Sequence, residues 1–228
     1  MPRIYKLSRA GLRLLYKIRH HKGHGIHSPF VFNLINRVIE EKTPYYKYED
    51  ITHYIRNNSD IKYKITKNER LSFRLVNYFE AKNIMEIGSG KGINTLYLTA
   101  PYSDISCICV NSFRVDTRIS QRLFNYWERD IKLIEEDQLT QISKKMDCIY
   151  INLNEYKKLP DSIIPFLKTI CYDKTFIIVR GIRTNKRSKT LWKNISEMEG
   201  RTAMLDLFNI GIIFFDKSLY RWNYQISF

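Results

Sequence analysis

A short glycine-rich turn, "EIGSGKG" at residues 86–92, has the most specific spacing of residues that could do chemistry in this chain. An acid, Glu86, is followed by a glycine at every second position. Glycines allow positive φ angles and a close approach of the backbone to a ligand. The turn follows an apolar run and precedes a helical pattern, where backbone amides can face a ligand. It could therefore bind a cofactor, or it could serve only to pack a strand against a helix.

The positions of the glycines narrow the choice of ligand. A phosphate-binding P-loop needs a glycine where Met85 stands and a serine or threonine where Gly92 stands. A dinucleotide-binding turn needs glycine or alanine at the position of Ile93. The pattern that remains is an acid followed by three alternating glycines: Glu86, Gly88, Gly90 and Gly92.

The elements around the turn predict an α/β fold. From residue 83 onward, short apolar runs alternate with helical patterns, which is typical of a parallel sheet with helices on both faces. The last three runs follow each other after short turns, and we expect them to pair antiparallel. The sequence thus predicts a doubly wound, Rossmann-like sheet, mostly parallel with antiparallel C-terminal strands, over residues 68–228. A basic helical extension, residues 1–67, precedes it.

Two helices are predicted between the N-terminal segment and the sheet. Ser28 suits an N-cap and Pro29 the first helical position, so a helix should run from about 29 to 41. A second helix should begin near Asn68. The cysteines lie in or beside apolar runs without metal-binding spacing, and we expect buried free thiols. They are Cys107, Cys109, Cys148 and Cys171.

The segment "IMEIGSGKGINTLYLTA" and the order of the strands resemble the class I S-adenosylmethionine-dependent methyltransferases over residues 68–228. "HGIHSPFVF" and "LDLFNIGIIFF" are similar to a bacterial subgroup of small methyltransferases related to the O-methyltransferases. The resemblance implies that S-adenosylmethionine is the cofactor and that Glu86 lies near its methionine ammonium. Further cofactor-binding positions implied by the resemblance are Gly88, Ser89, Gly90, Gly92 and Asn152.

The resemblance also implies contacts to the adenosine part. This family usually has an acid for the ribose hydroxyls at the end of the second strand, and Asn111 stands there. A neutral hydrogen bond in place of a charge-assisted one lowers affinity on the order of tenfold. After the third strand, "EED" offers Asp137 for the adenine amine, with Glu135 and Glu136 beside it.

At the reacting end this chain departs from the family pattern. Metal-assisted O-methyltransferases have acids at the ends of the fourth and fifth strands, where this chain has Asn152, Arg180 and Gly181. One amide beside an arginine is not a site for Mg²⁺, so we predict no metal. The catalytic group is not identified by the sequence, and His27 and Lys64 are candidates for a base at the acceptor site.

The charge of the chain predicts an anionic acceptor or partner. There are 38 Lys and Arg against 23 Asp and Glu, a net charge of +15. "RGIRTNKRSK" begins with Arg180 and Arg183 at the carboxyl end of a strand, where ligands bind in this architecture. With Lys62, Lys64 and Lys67 they predict a site for a small anionic molecule, a lipid head group or RNA. The alternative is a solvated run of charges.

The N-terminal segment carries its own basic pattern. Bases at helical spacing and a stripe of apolar residues predict an amphipathic helix, which could bind RNA or an anionic membrane surface, or pack on its own domain. The bases are Arg3, Lys6, Arg9, Arg13 and Lys17.

Two functions follow from these patterns. The first is a cytoplasmic, metal-independent, O-methyltransferase-like enzyme without an integral membrane segment, because the apolar runs are shorter than the ~20 residues of a membrane helix. The second is a catalytically silent methyltransferase-fold protein that serves as a basic binding module for RNA, membrane or a protein. A base near the acceptor would distinguish them.

Overall fold

The computed structural model describes residues 11–12, 14–16, 27–112, 116–155 and 162–228. Within the first part, residues 11–12 and 14–16 are helical. The predicted bases of the N-terminal amphipathic helix, Arg3, Lys6, Arg9, Arg13 and Lys17, lie outside the described residues.

Between residue 27 and the first strand, the described residues form three helical segments. Helix α1 (Pro29–Leu34) begins with the Ser28 side chain accepting a hydrogen bond from the Val31 amide, and it continues as a π-helical segment, Ile35–Ile39. The helix predicted from residue 29 is thereby confirmed, with a wider final turn. Helix α2 (Tyr46–Asn58) was not predicted from the sequence. Helix α3 (Lys67–Phe79) begins one residue before its predicted start and has a capping box between Thr66 and Glu69.

Within the described residues, the sheet has eight strands in the order β3-β2-β1-β4-β5-β7-β6-β8. The first five pair in parallel, and β7 pairs antiparallel with both β5 and β6. This confirms the predicted α/β fold. The strands are β1 (Asn83–Ile87), β2 (Ser106–Asn111), β3 (Asp130–Glu135), β4 (Cys148–Asn152), β5 (Phe176–Arg180), β6 (Ala203–Asp206), β7 (Ile210–Phe214) and β8 (Trp222–Gln225).

One strand pairing differs from the prediction. The last three strands were expected to be antiparallel throughout, but β8 pairs in parallel with β6. Both edges of β7 are already occupied by β5 and β6. The chain therefore starts β8 at the edge where β7 ends and follows the free side of β6, which gives it the direction of β6.

Helices and apolar side chains cover both faces of the sheet. Ile84 and Met85 are adjacent in β1 and lie in different core clusters, because side chains alternate across a strand. One cluster includes α1 and α3, and the other includes the helices near the C-terminus. Cys107, Cys109 and Cys148 are buried and all four cysteines are free thiols. The remaining helices are α4 (Ile93–Thr99), α5 (Arg118–Asn125), α6 (Ile163–Ile170) and α7 (Lys186–Ser196), with a 3₁₀ segment at Glu136–Gln141.

Tyr16 links the N-terminal helical residues to the carboxyl edge of the sheet. Its hydroxyl donates to the Asp206 backbone oxygen at 2.6 Å, and its ring lies 5.3 Å from that of Phe208. The N-terminal segment was expected either to bind RNA or a membrane surface or to pack on its own domain, and this contact supports packing. Leu14 and Leu15, beside Tyr16, are nevertheless exposed. In the part of the chain that the structure describes, no helix has the length and apolarity to cross a membrane.

Candidate functional site

The glycine turn connects β1 to α4 at the carboxyl edge of the sheet. Gly88, Gly90 and Gly92 all have positive φ, at 85°, 55° and 79°. A Cβ on Gly92 would lie 2.7 Å from the Phe124 ring, so that glycine is required by packing against α5. A Cβ on Gly90 would instead meet the side chain of Glu155, an exposed residue, at 3.2 Å. Gly90 is therefore buried, but the group that covers it is the side chain of an exposed residue rather than a packed ring.

Glu86 lies beneath the turn and connects β1 to α4. Its side chain is fully buried, and its two oxygens accept hydrogen bonds from Asn94 Nδ2 at 2.8 Å and Thr95 Oγ1 at 2.5 Å. Burial raises the pKa of Glu86 to about 7, although these two hydrogen bonds oppose the shift. Glu86 was expected near the methionine ammonium, but both of its carboxylate oxygens already have hydrogen-bond partners within the protein.

Asn111, at the end of β2, contacts the turn directly. Its Oδ1 accepts from the Gly90 amide at 3.1 Å and from Ser89 Oγ at 3.2 Å. Its Nδ2 is buried and has no hydrogen-bond partner among the described residues. A buried donor without a partner costs free energy, and a ligand hydroxyl would satisfy it. The residue implied to bind ribose therefore presents a free donor beside Gly90.

Replacing Asn111 by aspartate tests this position. The carboxylate can keep the two hydrogen bonds to the turn, and its second oxygen would replace the unpartnered Nδ2. We expect Asn111→Asp to bind S-adenosylhomocysteine between a few-fold and about tenfold more tightly, because a charge-assisted bond to ribose replaces a neutral one. Isothermal titration calorimetry measures the change. Unchanged or weaker binding by a folded variant would contradict a ribose contact here.

Asp137 and Asn152 complete the predicted cofactor positions. Asp137 is exposed in the 3₁₀ segment after β3, where a ligand can reach it. Asn152 is nearly buried at the end of β4, and its Oδ1 accepts from the Asn154 amide at 3.2 Å. A ligand contact through Asn152 would have to share this oxygen or use its amide nitrogen.

The ends of β4 and β5, which the sequence predicted to lack a metal site, are joined by amide and hydroxyl groups. Asn154 Oδ1 accepts from Thr184 Oγ1 at 2.8 Å, and a Cβ on Gly181 would lie 2.8 Å from the same oxygen. In the described residues no three His, Cys, Asp or Glu side chains form a cluster that could hold a metal. The donor set at this position does not fit a divalent cation.

The two arginines predicted to bind an anion are both engaged in ion pairs. Arg180 Nη1 lies 3.2 Å from Oε1 of buried Glu69, and this pair connects β5 to α3. Arg183 binds both oxygens of Asp206 at 2.7 and 2.6 Å and also donates to the Phe208 carbonyl. Their charges are balanced within the fold, so neither presents a free charge to an acceptor. Both acids can be read from the sequence, but only the structure shows that they lie beside the arginines.

The two candidate bases are exposed. His27 lies just before α1, and Lys64 lies in the loop before α3. Lys64 lines an open cavity of about 480 Å³ together with Lys62 and Tyr63. Neither side chain contacts the glycine turn in any interaction of the described structure, so the candidate base stays a prediction from the sequence.

A second cavity of about 530 Å³ borders the glycine turn through Lys91. Arg118 pairs with Asp116 and Arg122 with Asp60, whereas Lys62 and Lys91 form no ion pair with another described residue. Sequence reasoning missed this grouping, although Lys91 lies inside the glycine turn itself. The cavity is lined by Ser59, Asp60, Ile61, Lys62, Lys91, Asp116, Arg118, Ile119 and Arg122.

The fold is that of the S-adenosylmethionine-dependent methyltransferases. An S-adenosylhomocysteine-bound methyltransferase of Podospora anserina, PaMTH1, superposes with a TM-score of 0.56 at 13% identity, covering 82% of this chain and 96% of the other. An O-methyltransferase of Bacillus cereus in complex with S-adenosylhomocysteine has a TM-score of 0.52 at 14% identity, covering 81% and 97%.

A third structure is similar to the same extent. The O-methyltransferase TomG of Streptomyces achromogenes, in complex with S-adenosylmethionine, has a TM-score of 0.51 at 11% identity, covering 75% of this chain and 90% of the other. No protein-family model matches the sequence. No curated protein matches it either. The likeness to solved structures therefore establishes the fold, a methyltransferase fold like that of O-methyltransferases.

Proposed function

We propose that this protein is an S-adenosylmethionine-dependent, metal-independent methyltransferase of the O-methyltransferase-like type. The observation that carries the proposal is the arrangement at Gly90, where the turn lies under the side chain of exposed Glu155 and beside the unpartnered Nδ2 of Asn111. A ligand that moves the Glu155 side chain aside can approach the backbone closely, and Asn111 supplies a hydrogen-bond donor for it. The similar structures bound to S-adenosylmethionine or S-adenosylhomocysteine support the same ligand class.

The residues around the turn fit this cofactor. Gly90 supplies a surface without a side chain of its own, Asn111 would donate to a ribose hydroxyl, and exposed Asp137 would accept from the adenine amine. The bound cofactor supplies an electrophilic methyl group on a sulfonium. Transfer to oxygen needs a nucleophilic acceptor, and in a metal-free site a base or an acceptor that is already ionised provides it.

The acceptor is proposed to be a small anionic molecule. Lys62 and Lys91 line the cavity of about 530 Å³ next to the turn and have no acid partner among the described residues. We therefore assign to these lysines the anion-binding role that the sequence suggested for Arg180 and Arg183, whose charges are paired with acids within the protein. A cavity of this size holds a small molecule.

Binding of S-adenosylhomocysteine is the direct test of the proposal. Calorimetry at high protein concentration should give a dissociation constant in the micromolar range, which corresponds to a binding free energy of about −8 kcal/mol. Adding Mg²⁺ should leave this affinity unchanged. Gly90→Val should abolish binding, because a branched side chain at φ 55° would be strained and would fill the space between the turn and Glu155.

Two controls make the result decisive. Gly200→Val also places a branched residue at positive φ, but with no atom within 4 Å of the added Cβ and on a loop before β6, so it separates strain from site blockage. Absence of both heat and thermal stabilisation with millimolar ligand would overturn the cofactor proposal.

A catalytically silent binding module is the second candidate function. It is favoured by the reacting end, where Asn154 and Thr184 bond to each other and Arg180 is paired, so that no base is assembled among the described side chains. The excess of 15 positive charges would then serve a polyanionic partner, RNA or an anionic membrane surface. Salt-dependent retention on heparin by a protein that does not bind S-adenosylhomocysteine would favour this function.

A further inference from the structure

We propose that Glu155 is the carboxylate that binds the methionine ammonium of the cofactor, an inference that rests on the proposed function. Glu155 follows β4 by three residues, and its side chain lies over Gly90 of the glycine turn. Its Cδ and Oε2 atoms are each 3.2 Å from the point where a Cβ on Gly90 would stand. The carboxylate is therefore at the surface that a ligand on this turn would contact.

Three other acids at this edge are already used by the fold. Glu86 was expected at the ammonium, but it is fully buried and bonded to two side chains of α4. Glu69 pairs with Arg180, and Asp206 pairs with Arg183. Glu155 is exposed, and the described residues offer its carboxylate neither a hydrogen bond nor an ion pair. In a chain with a net charge of +15, this acid is left available for a cation from outside.

The polarity of the turn agrees with this assignment. The Gly90 amide already donates to Asn111 Oδ1. On the β2 side of Gly90, the atom without a hydrogen-bond partner among the described residues is therefore a donor, Asn111 Nδ2. On the other side of Gly90 the free group is the acceptor, Glu155. A ligand with hydroxyl groups at one end and an ammonium at the other matches this order, and S-adenosylmethionine has both.

Two ligands separate the ammonium contact from the rest of the site. S-adenosylhomocysteine carries the ammonium, whereas 5′-methylthioadenosine keeps the adenosine and lacks the amino-acid part. We expect Glu155→Gln to weaken S-adenosylhomocysteine about tenfold, the effect of a lost charge-assisted hydrogen bond, and to leave 5′-methylthioadenosine unchanged. Glu155→Asp should retain part of the affinity, because the charge is kept on a shorter side chain.

Glu199→Gln is the matched control. Glu199 is an exposed glutamate before β6, at the opposite edge of the sheet, and its Lys168 pair is at the surface. Glu199→Gln should change neither the affinity for S-adenosylhomocysteine nor that for 5′-methylthioadenosine. Equal loss of both ligands in Glu155→Gln, or no loss of either, would overturn the inference. Tighter binding of S-adenosylhomocysteine would also overturn it, by showing that the carboxylate obstructs the turn. If the unchanged protein binds neither ligand, the proposed function itself fails and the inference with it.

Discussion

Arg180→Met is expected to lower the free energy of unfolding by about 3–5 kcal/mol. Arg180 Nη1 lies 3.2 Å from Oε1 of Glu69, and the Glu69 side chain is only 6% exposed. Removing the cation leaves a buried carboxylate without its charged partner, whereas methionine fills a similar volume. Urea denaturation at neutral pH, followed by far-UV circular dichroism, measures the loss.

A surface ion pair provides the matched comparison. Lys168 and Glu199 lie 3.3 Å apart, but their side chains are 48% and 86% exposed. Lys168→Met should therefore cost less than about 1 kcal/mol. Adding Glu69→Gln to Arg180→Met should recover part of the stability, because the uncompensated charge is removed. If Arg180→Met costs as little as the surface variant, the ion pair is not structural and Arg180 returns as a candidate for binding an acceptor.

Glu86→Gln is expected to stabilise the protein by about 3 kcal/mol above pH 7. Burial raises the pKa of Glu86 from 4.5 to about 7, and each pKa unit corresponds to about 1.4 kcal/mol. Between these two values the folded protein keeps a proton that the unfolded chain releases. The folded state then binds more protons, so the contribution of Glu86 to stability falls as pH rises from about 4.5 to about 7.

Glutamine removes this titration and can keep the hydrogen bonds. Its oxygen can accept from Thr95, and its Nε2 can donate to Asn94 Oδ1, which has no partner among the described residues. Urea denaturation of both proteins between pH 4.5 and 8 measures the difference, which should be near zero at pH 4.5 and largest at pH 8. The exposed variant Glu49→Gln should show no such trend. A difference that does not depend on pH would mean that Glu86 has an ordinary pKa in the folded protein.

Much of the fold was predictable from local sequence patterns. The alternation of apolar runs with helical segments predicted the parallel sheet, and Ser28 and Pro29 marked the start of α1. Helix α2 was missed because its buried residues, Tyr48, Ile51 and Ile55, lie among charged and polar residues that make a weak pattern. A pattern of this kind becomes a helix through packing on α3 and α4 rather than through its own propensity.

The sequence by itself determined the strands, helices α1 and α3 and the glycine turn, because capping, periodicity and positive φ are properties of neighbouring residues. The tertiary structure decided which charges meet. Arg180 is 111 positions from Glu69, and the Gly90 turn and Glu155 come together because β1 and β4 pair in parallel and end at the same edge. The structure also shows that Glu86 does not face the ligand. Its position in β1 directs the carboxylate into the core, because side chains alternate along a strand. Such pairings depend on strand order, which no local pattern contains.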